Sequence, residues 1–231
     1  MKLLVFTAGF YDRDYDAKLE RLLKTCKKFE IPLEVYGRGQ TFSFYDSKID
    51  KLGVFLNNHK NDFTHALYTD ASDSFFLRGL KEIIFKYEKM GSPKLLVAAE
   101  KQCHPFPELS ESFPEPLMHY RFFNPGNFLG EIPYLLEVIG RLKTYNQLKT
   151  DDQGHWMKAY VSRAIDLTID YFCSIFQTMS DCEFDREFRY VGKLLLNTVT
   201  GSYPSIVHFN GPKGAGSPNQ TLIEGVFNAT F

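Results

Sequence analysis

Four short clusters in this chain combine side chains that do chemistry. The first is Tyr68-Thr69-Asp70-Ala71-Ser72-Asp73, where two carboxylates stand three residues apart behind an apolar run. Open α/β sheets bind their ligands at strand ends, and carboxylate oxygens suit Mg²⁺ or Mn²⁺. Taken alone, the motif reads better as a turn and a helix cap. The second is His208-Phe209-Asn210-Gly211-Pro212-Lys213. An imidazole added to two carboxylates moves metal preference towards Mn²⁺, and Lys213 can meet phosphates as a point charge. Alone, it is a strand-end histidine and a solvated lysine. The third is Thr150-Asp151-Asp152-Gln153. Adjacent carboxylates repel, so one is often held by a hydrogen bond or a substrate hydroxyl. An Asp-Gln pair can accept from and donate to a sugar, while the plainer reading is a helix N-cap. The fourth, Phe123-Asn124-Pro125-Gly126-Asn127, is a tight polar turn whose asparagines either face a ligand or only shape the chain.

Elements must bring these clusters together, and strand and helix signals alternate in the α/β manner. Leu3 to Thr7, Leu33 to Tyr36, His65 to Tyr68 and Lys94 to Ala99 read as strands. Asp16 to Phe29, Ser47 to Asn57 and Leu80 to Tyr87 carry helical spacing. In the second half, Cys103 to Pro116 holds four prolines and reads as loop. Phe128 to Gly130 reads as a short strand after the Asn124-Pro125-Gly126 turn. Pro133 to Leu142 and Asp152 to Tyr160 read as helices, and Asp166 to Ile169 and Ser205 to His208 as strands. Gly211 to Asn219, rich in glycine and proline, is expected to be a mobile loop or flap.

Composition narrows the field. The chain has 231 residues, with 27 Lys+Arg against 28 Asp+Glu and a net charge of -1, which excludes a globally basic nucleic-acid binder. Hydrophobic residues at 44% and charged residues at 24% are a globular balance. No apolar stretch approaches the ~18 residues of a membrane helix. The apolar start at Met1 to Phe6 is too short for a secretion signal. Cys26, Cys103, Cys173 and Cys182 show neither a C-x-x-C pair nor zinc spacing. Free thiols in a reducing compartment are expected, hence a cytoplasmic location, that of the host cell if the protein is viral.

In order and spacing together, these motifs resemble the glycosyltransferase domain of the procollagen lysyl hydroxylases and its viral relatives, within the GT-A class. The likeness spans nearly the whole chain. It runs from the strand ending in Thr7 through Ser47-Lys48-Ile49, the Asp70 motif, Ala98-Ala99-Glu100 and Cys103-His104-Pro105. It continues through Arg121 to Gly130, Asp151-Asp152-Gln153, Ile175-Phe176-Gln177 and His208 to Lys213. Glycogenin-like transferases share the late His…Gly…Lys pattern and the Asn/Gly turn. The resemblance implies an α/β fold: a single GT-A (Rossmann-like) nucleotide-sugar transferase domain over residues 1–231, with a mixed central sheet. It implies that Asp70, Asp73 and His208 hold Mn²⁺, with Mg²⁺ as the alternative, and that the metal bridges the diphosphate of a UDP-sugar. Thr7 would lie near the uracil, and Lys48 and Lys213 near the ribose or phosphates. Asn124, Gly126, Gln153 and Gly211 complete the donor side, and Asp151 and Asp152 are the candidate catalytic carboxylates.

The chain departs from the family pattern at several positions. Ser72 replaces an aromatic residue between the metal aspartates, so base stacking must come from elsewhere. His104 replaces the tryptophan of Cys-Trp-Pro, Pro125 and Asn127 alter Asn-Ser-Gly-Gly, and the acidic run is cut to Asp151-Asp152. The donor core is kept and the acceptor side is changed. Two hydroxyl acceptors fit: a hydroxylysine of a collagen-like protein, or a hydroxymethylated pyrimidine in viral DNA, flipped out or single-stranded. A different class of reading is a catalytically silent nucleotide-sugar-binding module. No membrane partner is expected.

Overall fold

The computed structural model describes residues 1–10, 15–43, 46–115, 118–145, 147–148, 150–211 and 218–231. Its first half runs β1 (Leu3–Ala8), α1 (Tyr15–Lys28), β2 (Leu33–Tyr36), α2 (Lys51–His59), β3 (His65–Thr69), β4 (Ser74–Phe76), α3 (Leu80–Lys89) and β5 (Leu95–Glu100). There follow β6 (Phe122–Glu131), α4 (Ile132–Leu142), α5 (Asp152–Val161), β7 (Thr168–Asp170) and β8 (Phe176–Thr178). The chain closes with α6 (Phe184–Glu187), β9 (Phe188–Val191), β10 (Leu194–Asn197), β11 (Ile206–His208) and α7 (Pro218–Thr230).

Six strands form a mixed main sheet in the order β2-β1-β3-β6-β5-β7. β1 is parallel to β2 and β3, and β5 to β7, while β6 runs antiparallel to both β3 and β5. Strands covered on both faces must be apolar throughout, and β5 (Leu-Leu-Val-Ala-Ala-Glu) is buried at every residue. One face packs Phe6, Tyr68, Val97 and Phe128 against Leu135 and Ile139 of α4 and Trp156 of α5. The other packs Val5, Leu67, Leu96 and Leu129 against Leu19 and Leu22 of α1 and Ile83 of α3. The same layer holds Phe76, Phe176 and Ile206 from a second sheet, ordered β4-β11-β8. Alternation along those short strands turns Phe75 and Val207 outwards, where Ile223 and Val226 of α7 and Leu195 of β10 cover them.

The expected elements of the first half are present within a few residues of their expected ends. The helix expected from Ser47 opens with a π-helical turn (Asp46–Asp50), which carries Ser47 and Lys48. The loop expected over Cys103 to Pro116 contains a 3-10 turn (Pro107–Ser112). The larger correction concerns Asn124-Pro125-Gly126, which lies inside β6 and does not precede it. On the β5 side the ladder jumps from Val97↔Phe128 to Ala98↔Asn124, so Pro125, Gly126 and Asn127 are extruded as a bulge. A proline is tolerated there because it has no N–H to give that ladder. On the β3 side Asn127 still pairs with Thr69. β4, β8 to β10, α6 and α7 were not foreseen. The loop expected over 211–219 ends sooner than expected, since α7 starts at Pro218, a residue suited to a first helical turn. Residues 212–217, Lys213 among them, lie outside the described residues.

Candidate active site

Strand ends of the two sheets converge on one place. Asp70 follows β3, and its backbone N–H donates to the Gly126 carbonyl in the bulge (2.8 Å). Asp73 precedes β4, and its carbonyl accepts from the Phe209 N–H (2.8 Å). His208 ends β11, in register with Ser74. The result is that Asp70, Asp73 and His208 each offer a ligand atom within 4.8 Å of the others. His208 Nε2 lies 3.4 Å from Asp73 Oδ2 and 3.7 Å from Asp70 Oδ2. Asp73 and His208 are 4% and 2% exposed. Two carboxylates held this close repel each other unless a cation lies between them. Gly126 explains how the backbone comes so near: a β-carbon there would sit 2.4 Å from His208 Cε1 and 2.8 Å from Asp70 Oδ2. The donor set, its burial and this cradle fit a divalent cation that accepts mixed oxygen and nitrogen ligands.

The second oxygen of Asp70 is taken. Lys48 Nζ and the Tyr68 hydroxyl both donate to Oδ1, each at 2.6 Å. Lys48 Nζ is also 3.8 Å from Asp152 Oδ2. Burial opposes the Lys48 ammonium, but Asp152 and Asp70 outweigh it and hold its pKa above the ordinary lysine value. Burial pushes Asp70 up, yet Lys48 and His208 bring it below the usual carboxylate range. Asp152 goes the other way: burial raises it, Asp70 and Asp151 add to that, and Lys48 only partly offsets them.

A further carboxyl group stands at the end of β5. Glu100 is 2% exposed and accepts hydrogen bonds from Asn210 Nδ2 (2.8 Å), Asn124 Nδ2 (3.2 Å) and Gln153 Nε2. Burial pushes its pKa up to about 8, against the pull of those three amides. Gln153 Nε2 also reaches the carbonyls of His104 (2.9 Å) and Phe123 (3.1 Å). Asn124 Oδ1 accepts from the Gly126 N–H (2.9 Å), which ties this amide network to the bulge. Asp151 is the N-cap of α5: its Oδ1 accepts from the Gly154 N–H (2.9 Å), as the plainer sequence reading has it. Its Oδ2 lies 3.0 Å from His104 Nε2.

The carboxyl, amide, lysine and histidine side chains among these line one cavity of about 800 Å³, with Ala8, Phe10 and Phe42 also in its wall. Of the residues singled out in the sequence, Lys48, Asp70, Asp73, Asn124, Gly126, Asp151, Asp152, Gln153, His208 and Gly211 are in this wall. Thr7 is not. It is fully buried and its hydroxyl donates to the Thr69 carbonyl (2.6 Å), because alternation along β1 turns it into the sheet layer. Sequence reasoning assigned no role to Glu100, Asn210, Tyr68, Phe10 or Phe42, and noted His104 only as a change on the acceptor side. Glu100 had a signal: like Asp70, it is a carboxylate at the end of an apolar strand. Phe42 had none, since nothing local distinguishes an aromatic in a polar loop.

The fold and this site define a glycosyltransferase of GT-A type. The structure matches, at a TM-score of 0.57 and 10% identity, the crystal structure of a glycosyltransferase involved in the glycosylation of the major capsid of PBCV-1, over 98% of this chain and 99% of that one. The chain belongs to the PLOD GT domain family, whose model matches residues 1–216. It is 26% identical over 227 residues to procollagen-lysine,2-oxoglutarate 5-dioxygenase 2 of Homo sapiens and 28% identical over 228 residues to the multifunctional procollagen lysine hydroxylase and glycosyltransferase of Caenorhabditis elegans. Each match covers 91% of this chain and 30% of the relative. An uncharacterized protein, R699, of Acanthamoeba polyphaga mimivirus is 27% identical over 219 residues, covering 91% of this chain and 46% of that protein. No helix of the described residues is long and apolar enough to cross a membrane.

Proposed function

We propose that residues 1–231 act as one metal-dependent transferase domain that moves a sugar from a UDP-sugar to a hydroxylysine of a collagen-like protein. One observation carries this reading. Asp70, Asp73 and His208, far apart in sequence, meet in the wall of a cavity that also presents Lys48, Asn124, Asp152 and Gln153. Asp70, Asp73 and His208 would hold Mn²⁺, or Mg²⁺ in its place. Bound there, the metal would offset charge that develops on the diphosphate as the sugar leaves. Lys48 adds a fixed positive charge beside Asp70. Phe10 and Phe42, with ring centroids 6.1 Å apart in the cavity wall, would take the uracil in lieu of an aromatic at position 72. Asp152 offers carboxylate oxygens to the sugar's hydroxyls, and the side-chain carbonyls of Asn124 and Gln153 have lone pairs to accept from them.

The hydroxylysine acceptor rests on the names of the relatives. No observation favours hydroxymethylated DNA, and the net charge of -1 gives a DNA backbone no general attraction. The four cysteines stand unpaired, which supports a reducing, cytoplasmic setting. The test is incubation with Mn²⁺, UDP-glucose or UDP-galactose, and a hydroxylysine peptide, read by acceptor mass. A hexose gain that disappears in Asp73→Ala is expected. UDP binding without either hexose gain or UDP release would support the silent binding module instead.

A further inference from the structure

We propose that His104, oriented by Asp151, is the base that takes the proton from the acceptor hydroxyl. The inference rests on the transferase reading, with the donor held at the metal site. Transfer forms a bond between the acceptor oxygen and the anomeric carbon and breaks the bond from that carbon to the diphosphate oxygen. The electron pair of the broken bond leaves with the diphosphate, and the hydroxyl proton must go to a base.

The carboxylates in the cavity wall are already engaged. Asp70 and Asp73 face His208. Glu100 is enclosed by three amide donors. Asp152 faces the Lys48 ammonium. Asp151 uses one oxygen on the Gly154 N–H and the other on His104. His104 differs from all of them. Its Nε2 lies 3.0 Å from Asp151 Oδ2, which selects the tautomer that donates from Nε2 and leaves Nδ1 as the lone-pair nitrogen. Nδ1 has no hydrogen bond among the described residues. The backbone of His104 is fixed as well, since its carbonyl accepts from Gln153 Nε2 (2.9 Å). A carboxylate behind an imidazole fixes its orientation and balances the imidazolium that forms. The side chain is 56% exposed, so the proton taken up at Nδ1 passes on to solvent.

The test uses the full chain with Mn²⁺, a UDP-hexose and a hydroxylysine peptide. His104→Ala should lower transfer about 10²-fold or more, the scale of general base catalysis, and leave donor-only UDP binding within about twofold. Added imidazole should restore part of the loss in His104→Ala. His104→Gln, which keeps a donor to Asp151 and has no basic nitrogen, should be as slow as His104→Ala. Full transfer by either variant, or a loss in His104→Ala that imidazole does not relieve, overturns the proposal. Nitrogen-15 NMR of the chain without donor or acceptor tests the dyad separately. It should show His104 protonated at Nε2 only, a preference that weakens in Asp151→Asn, a substitution that keeps the helix cap. A predominant Nδ1–H form would overturn the proposal even if no peptide is glycosylated. Absence of transfer by the parent chain, with the Nε2–H form intact, would count against the acceptor reading alone.

Discussion

The cavity wall that carries Asp70, Asp73 and His208 and the wall that carries His104 are built by different means. The first is made of strand ends: Asp73 and His208 are under 5% exposed, and Asp70 is fixed by Lys48 and Tyr68. The second is made of a loop and a helix cap, with His104 56% and Asp151 28% exposed. A diphosphate and its metal need fixed charges at fixed separations, and sheet ends supply that stiffness. An acceptor can vary in size and chemistry, and loops on a rigid frame accommodate it. The departures from the family pattern at His104 and in the shortened acidic run fall on the second wall, where change disturbs the sheet least.

The contrast can be broken most directly at Asp73. Asp73→Ala should remove Mn²⁺ binding, measured by calorimetry, and lower UDP-sugar turnover by about 10²–10³-fold, the scale for losing a group that stabilises developing charge. Unchanged turnover would deprive the wall of Asp70, Asp73 and His208 of its proposed role. Gly126→Ala comes next, because the new methyl would lie 2.7 Å from Asn124 Oδ1 and 2.4 Å from His208 Cε1. Metal affinity should fall about 10–100-fold, and overpacking should cost about 1–3 kcal/mol in denaturant unfolding. Phe42→Ala sharpens the comparison further. Loss of one stacking ring is worth about 1–3 kcal/mol, so UDP affinity should drop about tenfold while Mn²⁺ affinity stays the same.

Glu100 gives a smaller, pH-dependent effect. Its pKa is pushed up to about 8 in the folded chain, from 4.5. Between those values the folded chain holds a proton that the unfolded chain has released, so this group's contribution to stability falls as pH rises. Thermal unfolding followed from pH 5 to pH 8.5 should show Tm falling by several degrees, and Glu100→Gln should flatten that slope. An equal slope in both proteins would place the titrating group elsewhere. The smallest effect is expected on the outer face of α1. Lys24→Ala breaks an exposed pair with Glu20 and should leave both Tm and UDP affinity within error.

Local sequence revealed long elements and failed on short ones. β1, β3 and β5 are apolar runs of five or six residues, and α1 and α4 carry a helical stripe long enough to register. β4, β8 and β11 have three residues each, too few for a period, and only β11 was anticipated, from its β-branched residues. The Asn124 bulge shows a different limit. Asn-Pro-Gly signals a turn in any local reading, but the two neighbouring strands keep β6 continuous through it. Thr7 and Glu100 exchanged importance for a similar reason. Strand alternation buries the first in the sheet layer, and β5 ends on the second and delivers it to the cavity.

The sequence by itself determined the alternation of strands and helices, the carboxylates after β3, the histidine ending β11 and a helix start at Asp151 or Asp152. These follow from side-chain chemistry and local backbone preference, which act over a few residues. Only the tertiary structure decided that Asp70, Asp73 and His208 meet, that Lys48 is shared between Asp70 and Asp152, and that Glu100 is buried among three amides with its pKa raised. Those outcomes depend on register between strands and on the dielectric cost of burial, and neither is a property of any short stretch of chain.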